Sequence, residues 1–425
     1  MSKLLFNKAF SEHITEDISS MEMLSASSIL FKQMEGRKCI EITHDNISKK
    51  LNSHYYIGTD WLYKNEVAIY VAPKLNDDAQ QTDYLNMLFS CLRHSDVANF
   101  TSNLYEIKFE EPFIEIEQQQ DLLTPLLVVQ FLQVLKTIVR KGLKKSYYKV
   151  EQNLNAKIKG KVLISQTLKQ NIIKNKPTKT FCQYDEFGYN CIENRILKKT
   201  LIFVQKYLSL FPDYSKLVTP VINYCLPVFD NVDEKIDIKT LRGITHNSFY
   251  KEYKEALHLS NLILKRFGYN IKEIDSLKNK TVKVPPFWID MPNLFELYVL
   301  GLLKDKYYNN IKFQIQGTYG QPDFVLVTDD EKMIIDTKYK RKYQQEKYQA
   351  EDIRQLSGYA RDTRVLSRLG YKTEEEQDRV IDCLIIYPDQ NASEKLNNNL
   401  KEYPINGFTK FYKMPIKLPT IDPKN

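Results

Sequence analysis

The sequence predicts a multidomain α+β protein, with a strand-rich N-terminal region, a mainly helical middle region and a C-terminal α/β unit with its own small sheet. Three observations predict this. Apolar and polar residues alternate in the first third of the chain, while from about Asp121 to Tyr269 apolar residues recur mostly at helical spacing. After Val284-Pro285-Pro286 the pattern becomes helix, three strands, helix and strand. A chain of 425 residues has room for two to four domains, and the pattern divides it into residues 1–115, 116–283 and 284–425.

In the first region, Ile40 to Thr43 and Trp61 to Val71 alternate, and Lys64-Asn65-Glu66 turns a hairpin that leaves Val67, Ile69 and Val71 on one face. Pro73 ends that strand because it cannot donate to a ladder. A loop at Asn76-Asp77-Asp78 and a helix over Tyr84–Leu92 follow. In the second region Leu126–Val139 is apolar on more than one face, which predicts a buried helix. Ile192–Leu210 carries a stripe of Ile196, Leu197, Leu201, Val204 and Leu208, and Phe249–Phe267 carries Tyr253, Ala256, Leu257, Leu264 and Phe267. Core packing accounts for all of these. In the third region the elements are a helix over Asn293–Asp305, strands over Lys312–Gln316, Asp323–Val327 and Lys332–Lys338, a helix over about Glu346–Thr363 and a strand over Val380–Tyr387.

Composition excludes several classes. With 43% hydrophobic and 27% charged residues the chain is globular rather than disordered, and 13 glycines and 16 prolines are too few for a collagen-like chain. The longest apolar stretch, Leu122 to Leu135, is interrupted by Thr124, Pro125, Gln130 and Gln133, short of the about 20 apolar residues of a membrane span. The opening MSKLLFNKAFSEHITED turns acidic before a signal-peptide core is complete. The six cysteines form no CxxC pair and the six histidines no HExxH, so zinc and histidine-based chemistry have little support. Scattered thiols without an export signal point to the cytoplasm.

Charge is concentrated. Between Lys141 and Thr180 eleven lysines face one acid, Glu151, a local excess of +10 in a chain of net charge +8. Such a segment is either an electrostatic footprint for phosphates or a solvated lysine-rich face.

The most informative stretch is QPDFVLVTDDEKMIIDTKYK, residues 321–340. Two apolar runs flank Asp329-Asp330 and predict a β-hairpin. Symmetry about that turn pairs residues whose numbers sum to 659, which sets Asp323 opposite Asp336. Lys338 lies two residues beyond Asp336 and shares its face. Two acids at the end of an apolar hairpin need compensation, and oxygen donors without histidine or thiolate favour Mg²⁺, with Mn²⁺ as the alternative. Such a cation stabilises charge on a transferring phosphoryl group and lowers the pKa of a bound water, and Lys338 would orient or help deprotonate that water. An ordinary surface Asp–Lys pair is the competing reading. Glu296, an acid within an apolar helix, is a further oxygen donor or a solvent-facing residue. Gln355 and Tyr359, four apart, share a helical face with Asp352.

The order helix-Glu, strand-Asp, strand-Asp-x-Lys, helix-Gln-x-x-x-Tyr resembles the PD-(D/E)xK nuclease fold with the QxxxY helix of its RecB-like branch. The resemblance implies metal binding by Glu296, Asp323, Asp336 and the main-chain carbonyl of Thr337. It implies a catalytic site of Asp323, Asp336 and Lys338, and an accessory, DNA-facing role for Gln355 and Tyr359. Further upstream, KIKGKVLISQTLKQN (157–171) and TFCQYDEFGYNCIENRILKKTL (180–201) resemble the middle region of the McrC family, the nuclease subunit of the McrBC modification-dependent restriction system. Gly160-Lys161-Val162 and Asn194-Arg195-Ile196-Leu197-Lys198 carry that similarity, DTKYK and LIIYPD (384–389) also fit, and the resemblance spans roughly residues 82–425. It leaves residues 1–80 without a role.

The resemblance implies a Mg²⁺-dependent DNA endonuclease subunit that acts on 5-methylcytosine-containing double-stranded DNA. Its partner would be an AAA+ GTPase of the McrB type, whose GTP hydrolysis it stimulates, and it would serve in antiviral defence. No nucleotide is expected on this chain, which lacks GxxxxGK[ST], and no membrane is expected. Lys157, Lys159, Lys161 and Arg195 are candidates for contact with DNA or with the partner. Two alternatives remain open: an adaptor that activates an AAA+ partner with minor or lost cleavage, and an independent nuclease.

Overall fold

The computed structural model describes the chain apart from residues 1–2, 5–9, 20–24, 33–35, 45–47, 77–80, 92–93, 95–96, 98–99, 109, 118–122, 209–211, 235, 237–250, 268–280, 341–349, 394 and 422–425. The expected loop at Asp77-Asp78, the end of the helix at Leu210 and the starts of those at Phe249 and Glu346 fall outside the described residues. The chain divides into two compact units, Met1–Leu126 with Leu277–Asn425, and Leu127–Ser276. Among the described residues no helix is long and apolar enough to cross a membrane.

The first unit joins what the sequence pattern separates into a first and a third region. The strands Tyr56–Tyr63 and Val67–Ala72 form the expected hairpin, with Glu66 N donating to Tyr63 O at 3.0 Å and Asn65 in the left-handed region at φ 66°. The other edge of Tyr56–Tyr63 pairs with Phe287–Asp290, in register Phe287↔Thr59 and Ile289↔Ile57. Phe287–Asp290 in turn pairs with Tyr105–Ile107, and Thr281–Val284 pairs with Ile114–Glu117. Pro285 and Pro286, which have no N–H to donate, therefore separate two short strands of the first unit instead of opening a new domain. Ile69 and Val71 are buried as expected, but so are Ala68 and Tyr70, because this sheet is covered on both faces. A neighbouring antiparallel sheet of Thr15–Asp17, Lys49–Ser53, Lys38–His44 and Ser27–Leu30 packs Cys39, Ile40, Ile42 and Leu51 into one core with Ile69, Val71 and Trp288.

The same unit carries a five-stranded sheet in the order Ile311–Phe313, Phe324–Val327, Lys332–Thr337, Asp382–Pro388, Phe411–Ile416. The first three are antiparallel neighbours and the last two join in parallel. The helix Ala350–Tyr359 lays Ile353, Leu356 and Tyr359 on one face of it, against Val325, Ile334, Cys383 and Ile385. The helix Met291–Tyr307 enters through Asp290, whose carboxylate accepts from Asn293 N at 3.0 Å.

The second unit is mainly helical, as the sequence predicts, and adds a small sheet that the sequence reading did not contain. The helices Leu123–Lys141, Ile192–Leu208 and Lys251–Phe267 are present, and Ile196, Leu197, Leu201, Val204 and Leu208 are buried as the stripe requires. Between them, Ser146–Asn155 and Lys179–Gly188 form a ten-residue antiparallel ladder, with Lys161–Val162 on the other edge. The lysine-rich segment therefore includes much of this small sheet. In the first strand half-buried Tyr148 and Val150 alternate with exposed Tyr147, Lys149 and Glu151, a period of two that is weak because tyrosine stands on both faces.

Candidate active site

The hairpin holds the register read from its sequence. Phe324↔Ile335, Val325↔Ile334, Leu326↔Met333 and Val327↔Lys332 are paired, and the turn closes with Thr328 N donating to Glu331 O at 2.8 Å. One step beyond the ladder, Asp323 and Asp336 fall on the face that carries Val325 and Ile334. The ladder ends there because the second strand turns to the acid itself: Thr337 N and Oγ1 donate to Asp323 Oδ2 at 2.7 and 2.6 Å. Gln314 N donates to Asp323 O at 2.8 Å, and Lys338 N donates to Ile386 O at 2.9 Å, so both acid-bearing strand ends are pinned from outside the hairpin.

Electrostatics tie the acids together. Burial pushes Asp336 up to about 7, and the nearby charge of Asp323 adds to the rise while Lys338 opposes it. Burial likewise pushes Asp323 up to about 7, reinforced by Glu296 and resisted by the two Thr337 hydrogen bonds. Glu296 also rises to about 7 by burial, although Gln314 Nε2 donates to its Oε1 at 3.2 Å. Burial works against the charged form of Lys338, yet Asp336, Asp323 and Asp352 outweigh it and hold the ammonium above the usual lysine range. Three acids that resist ionising together and one firmly charged lysine therefore share one field.

The donors suit a hard divalent cation in chemistry. Asp336 Oδ2 is buried and, among the described residues, accepts no well-directed hydrogen bond, while the Lys338 ammonium lies against it. Asp323, Asp336 and the main-chain carbonyl of Thr337 offer oxygen alone. As the side chains stand, no three His, Cys, Asp or Glu groups among the described residues lie close enough together to hold one ion. Asp323 and Asp336 are the two acids that could contribute to such a donor set, with Glu296 beside them in the same field.

The helix Ala350–Tyr359 supplies the remaining contacts. Lys338 Nζ donates to Gln355 Oε1 at 3.1 Å, and Gln355 Nε2 donates to Tyr359 OH at 3.0 Å. Tyr359 is buried and packs against Gly320, where a Cβ would come within 2.9 Å of its ring at φ +127°. Asp352, three residues before Gln355, takes Lys340 Nζ at 2.9 and 3.0 Å. The sequence reading passed over Lys340 and Gln314. Lys340 repeats the period-two spacing of Asp336 and Lys338, a signal already in DTKYK, whereas Gln314 carried no local signal.

The candidates in the second unit sit apart from this cluster in sequence and have their own partners. Lys157, Lys159 and Lys161 are exposed; Lys159 Nζ lies 3.7 Å from the Tyr184 ring centroid and 3.3 Å from Glu186 Oε1. Arg195 Nε donates to Asn190 O and Oδ1 at 3.0 and 2.9 Å, and its guanidinium lies 3.5 Å from Asp233, so it braces its own unit. Asn194 beside it is fully buried, donating to Lys144 O and Tyr189 O and accepting from Tyr253 OH. Gly160 sits at φ +66°, where a Cβ would meet Gln183 O at 2.4 Å. Both motif residues therefore have a structural reason for their identity.

The fold and the cluster define a mixed α/β protein with a carboxylate–lysine site at the end of a five-stranded sheet. The chain belongs to the McrBC 5-methylcytosine restriction system component family, whose model matches residues 51–369. The McrC resemblance lies within this family, and the match begins upstream of the point where that resemblance began. A chain in the refined half-complex of the tetradecameric assembly of Thermococcus gammatolerans McrB AAA+ hexamers with bound McrC is similar, at 14% identity and TM-score 0.38, over 96% of this chain and 94% of that one. A chain in the cryo-EM structure of the Thermococcus gammatolerans McrBC complex is similar at 13% identity and TM-score 0.28, over 69% of this chain and 86% of that one. At these scores the family assignment stands on the family model alone. No curated protein matches the sequence.

Proposed function

We propose that the chain is the McrC-type nuclease subunit of its restriction system, a Mg²⁺-dependent endodeoxyribonuclease with the PD-(D/E)xK arrangement, working in the cytoplasm with an McrB-type AAA+ GTPase whose hydrolysis it stimulates. The observation that carries this reading is the convergence of Asp323, Asp336 and Lys338 at one sheet end, with Thr337 and Gln355 fixing their orientation. Family membership supports the restriction role and the partner class. In this reading the 5-methylcytosine specificity resides in the partner.

Asp323 and Asp336, with the carbonyl of Thr337, would hold the cation, and Glu296 would support it. When bound, Mg²⁺ supplies charge stabilisation at the phosphoryl group and a more acidic water. Thr337 holds Asp323 through two hydrogen bonds, so that its other carboxylate oxygen is aimed without further reorganisation. Lys338 is held in its ammonium form. Its role is to place positive charge beside the oxygen that becomes negative and to orient the attacking water. Gln355 accepts from that ammonium and fixes its direction, and Tyr359 fixes Gln355.

The test is cleavage of methylated plasmid DNA in Mg²⁺ by the chain alone, by the chain with its GTP-hydrolysing partner, and by Lys338→Ala with that partner. Cleavage by the wild-type pair alone, lost by at least about 100-fold in Lys338→Ala, is expected. Undiminished cleavage by Lys338→Ala would refute the assignment. Stimulated GTP hydrolysis with no cleavage by the wild-type pair would identify an adaptor, and cleavage by the chain alone an independent nuclease.

A further inference from the structure

The N-terminal region, which carried no functional signal in the sequence, forms a wall of the cleft that contains Lys338. This cleft has a volume of about 520 Å³, within the range of a ligand-binding pocket. Thr337, Lys338, Lys340, Asp352 and Gln355 line one side, and Arg37, Lys38, His54, Tyr55 and Tyr56 line the other. Its lining holds four permanent cations against two carboxylates, Asp290 and Asp352. Each carboxylate already has a partner, Asp290 in Arg37 at 3.1 Å and Asp352 in Lys340. Each of the four cations likewise has an acid partner, Lys38 in Glu41 and Lys338 in Asp336, so an anion here would be held by the donors those pairs leave unused.

Resting on the nuclease reading, we propose that Arg37 and Tyr55 hold the DNA strand beside the bond to be cut, Arg37 on a backbone phosphate and Tyr55 on a neighbouring sugar or base. Arg37 is built for this. One guanidinium nitrogen is fixed on buried Asp290, which is itself fixed as the cap of the helix Met291–Tyr307. The Arg37 side chain is nevertheless 57% exposed, and a guanidinium has five donors, so this anchor leaves donors for a phosphate. Tyr55 is 39% exposed, and its ring is steadied edge-on against His13 at 3.8 Å between centroids. An exposed, buttressed tyrosine beside an arginine suits stacking along a nucleic acid strand.

A second observation fixes this wall to the chemistry. Tyr339 directly follows Lys338, and both its backbone and its side chain are held by the N-terminal region. Lys74 Nζ donates to Tyr339 O at 2.8 Å and lies 3.9 Å from its ring centroid, while Tyr339 OH donates to Glu12 Oε1 at 3.2 Å. The wall that carries Arg37 and Tyr55 is thus fastened one residue from the lysine, so a strand seated on it is positioned for cleavage.

The test measures cleavage of a methylated duplex by the complete chain with its partner, across DNA and salt concentrations. The variants are Arg37→Gln/Asp290→Asn, which removes the pair without stranding the buried carboxylate, Arg37→Lys, Tyr55→Ala and Lys338→Ala. Folding is checked by circular dichroism. Arg37→Gln/Asp290→Asn and Tyr55→Ala are each expected to raise the DNA concentration for half-maximal cleavage about tenfold. The arginine double variant should also flatten the salt dependence by about one phosphate contact, and Arg37→Lys should restore that slope. If both Arg37→Gln/Asp290→Asn and Tyr55→Ala fold and keep the wild-type half-saturation and salt slope while Lys338→Ala is inactive, the strand-holding role is overturned and the nuclease reading stands. A lowered kcat at unchanged half-saturation overturns it as well. If Lys338→Ala cleaves normally, the nuclease reading itself fails.

Discussion

Asp336→Asn separates the electrostatic account from a purely structural one. The residue is 3% exposed, and its carboxyl is pushed by burial from the ordinary 3.8 to about 7. A raised carboxyl keeps its proton in the folded state where the unfolded chain has already lost it. The stability it contributes is therefore fully present below about pH 4 and is lost as pH rises to about 7. Between pH 5 and pH 7 that is two units at about 1.36 kcal/mol each, a loss on the order of 3 kcal/mol from this group. Asparagine has the shape of the protonated acid and does not titrate, and its neutrality also relieves Asp323. The assay is thermal unfolding of the chain with chelator at pH 5 and pH 8. The variant should already melt somewhat higher at pH 5, about one unit into this loss, and its lead should widen by about 5 °C at pH 8. Mg²⁺ at pH 8 should raise the wild-type midpoint and leave the variant unmoved, while cleavage is abolished. Parallel wild-type and variant curves across this range would refute the reasoning, because histidines and all other groups are common to both.

Three further outcomes are expected. Thr337→Val keeps the backbone donor to Asp323 and removes the 2.6 Å hydroxyl bond, so cleavage should fall about tenfold through kcat at unchanged half-saturation, measured by single-turnover kinetics. Gln355→Leu frees the Lys338 ammonium from its 3.1 Å acceptor at an exposed position, so cleavage should drop about 10–100-fold with an unchanged far-ultraviolet spectrum. Gly160→Ala forces a Cβ to within 2.4 Å of Gln183 O at φ +66°, which should cost more than about 1 kcal/mol, read as earlier proteolysis within residues 127–276.

The parts of the site that were legible in the sequence are those fixed by local periodicity. The placing of Asp323 and Asp336 on one face just beyond the ladder follows from a short turn and a period of two, and the Gln355–Tyr359 contact follows from helical spacing. Pairings across long separations were not legible. Phe287–Asp290 is buried at every position and shows no alternation that would assign it to the sheet of Tyr56–Tyr63. That strand, with the pairing of Gln81–Thr82 and Thr420–Ile421, joins the expected first and third regions. The ladder Ser146–Asn155 with Lys179–Gly188 escaped for the opposite reason: it is only half-buried, so few of its positions are apolar and no apolar alternation stands out. Arg37 gave no signal because its partner, Asp290, lies more than two hundred residues away in the chain.

The place of Phe287–Asp290 between Tyr56–Tyr63 and Tyr105–Ile107 also sets an order of events on the ribosome. Tyr105–Ile107 is made about 180 residues before the strand it pairs with, a wait of roughly 10–35 s at ordinary elongation rates. Throughout that interval both flanking strands present open edges to solvent. Residues 127–276 emerge during the wait and are contiguous, so they can fold first. A nascent chain halted before residue 287 would therefore expose unpaired strands as a target for chaperones or proteases, and a C-terminal truncation designed to remove the acidic hairpin must retain Phe287–Asp290 to leave a sound N-terminal sheet.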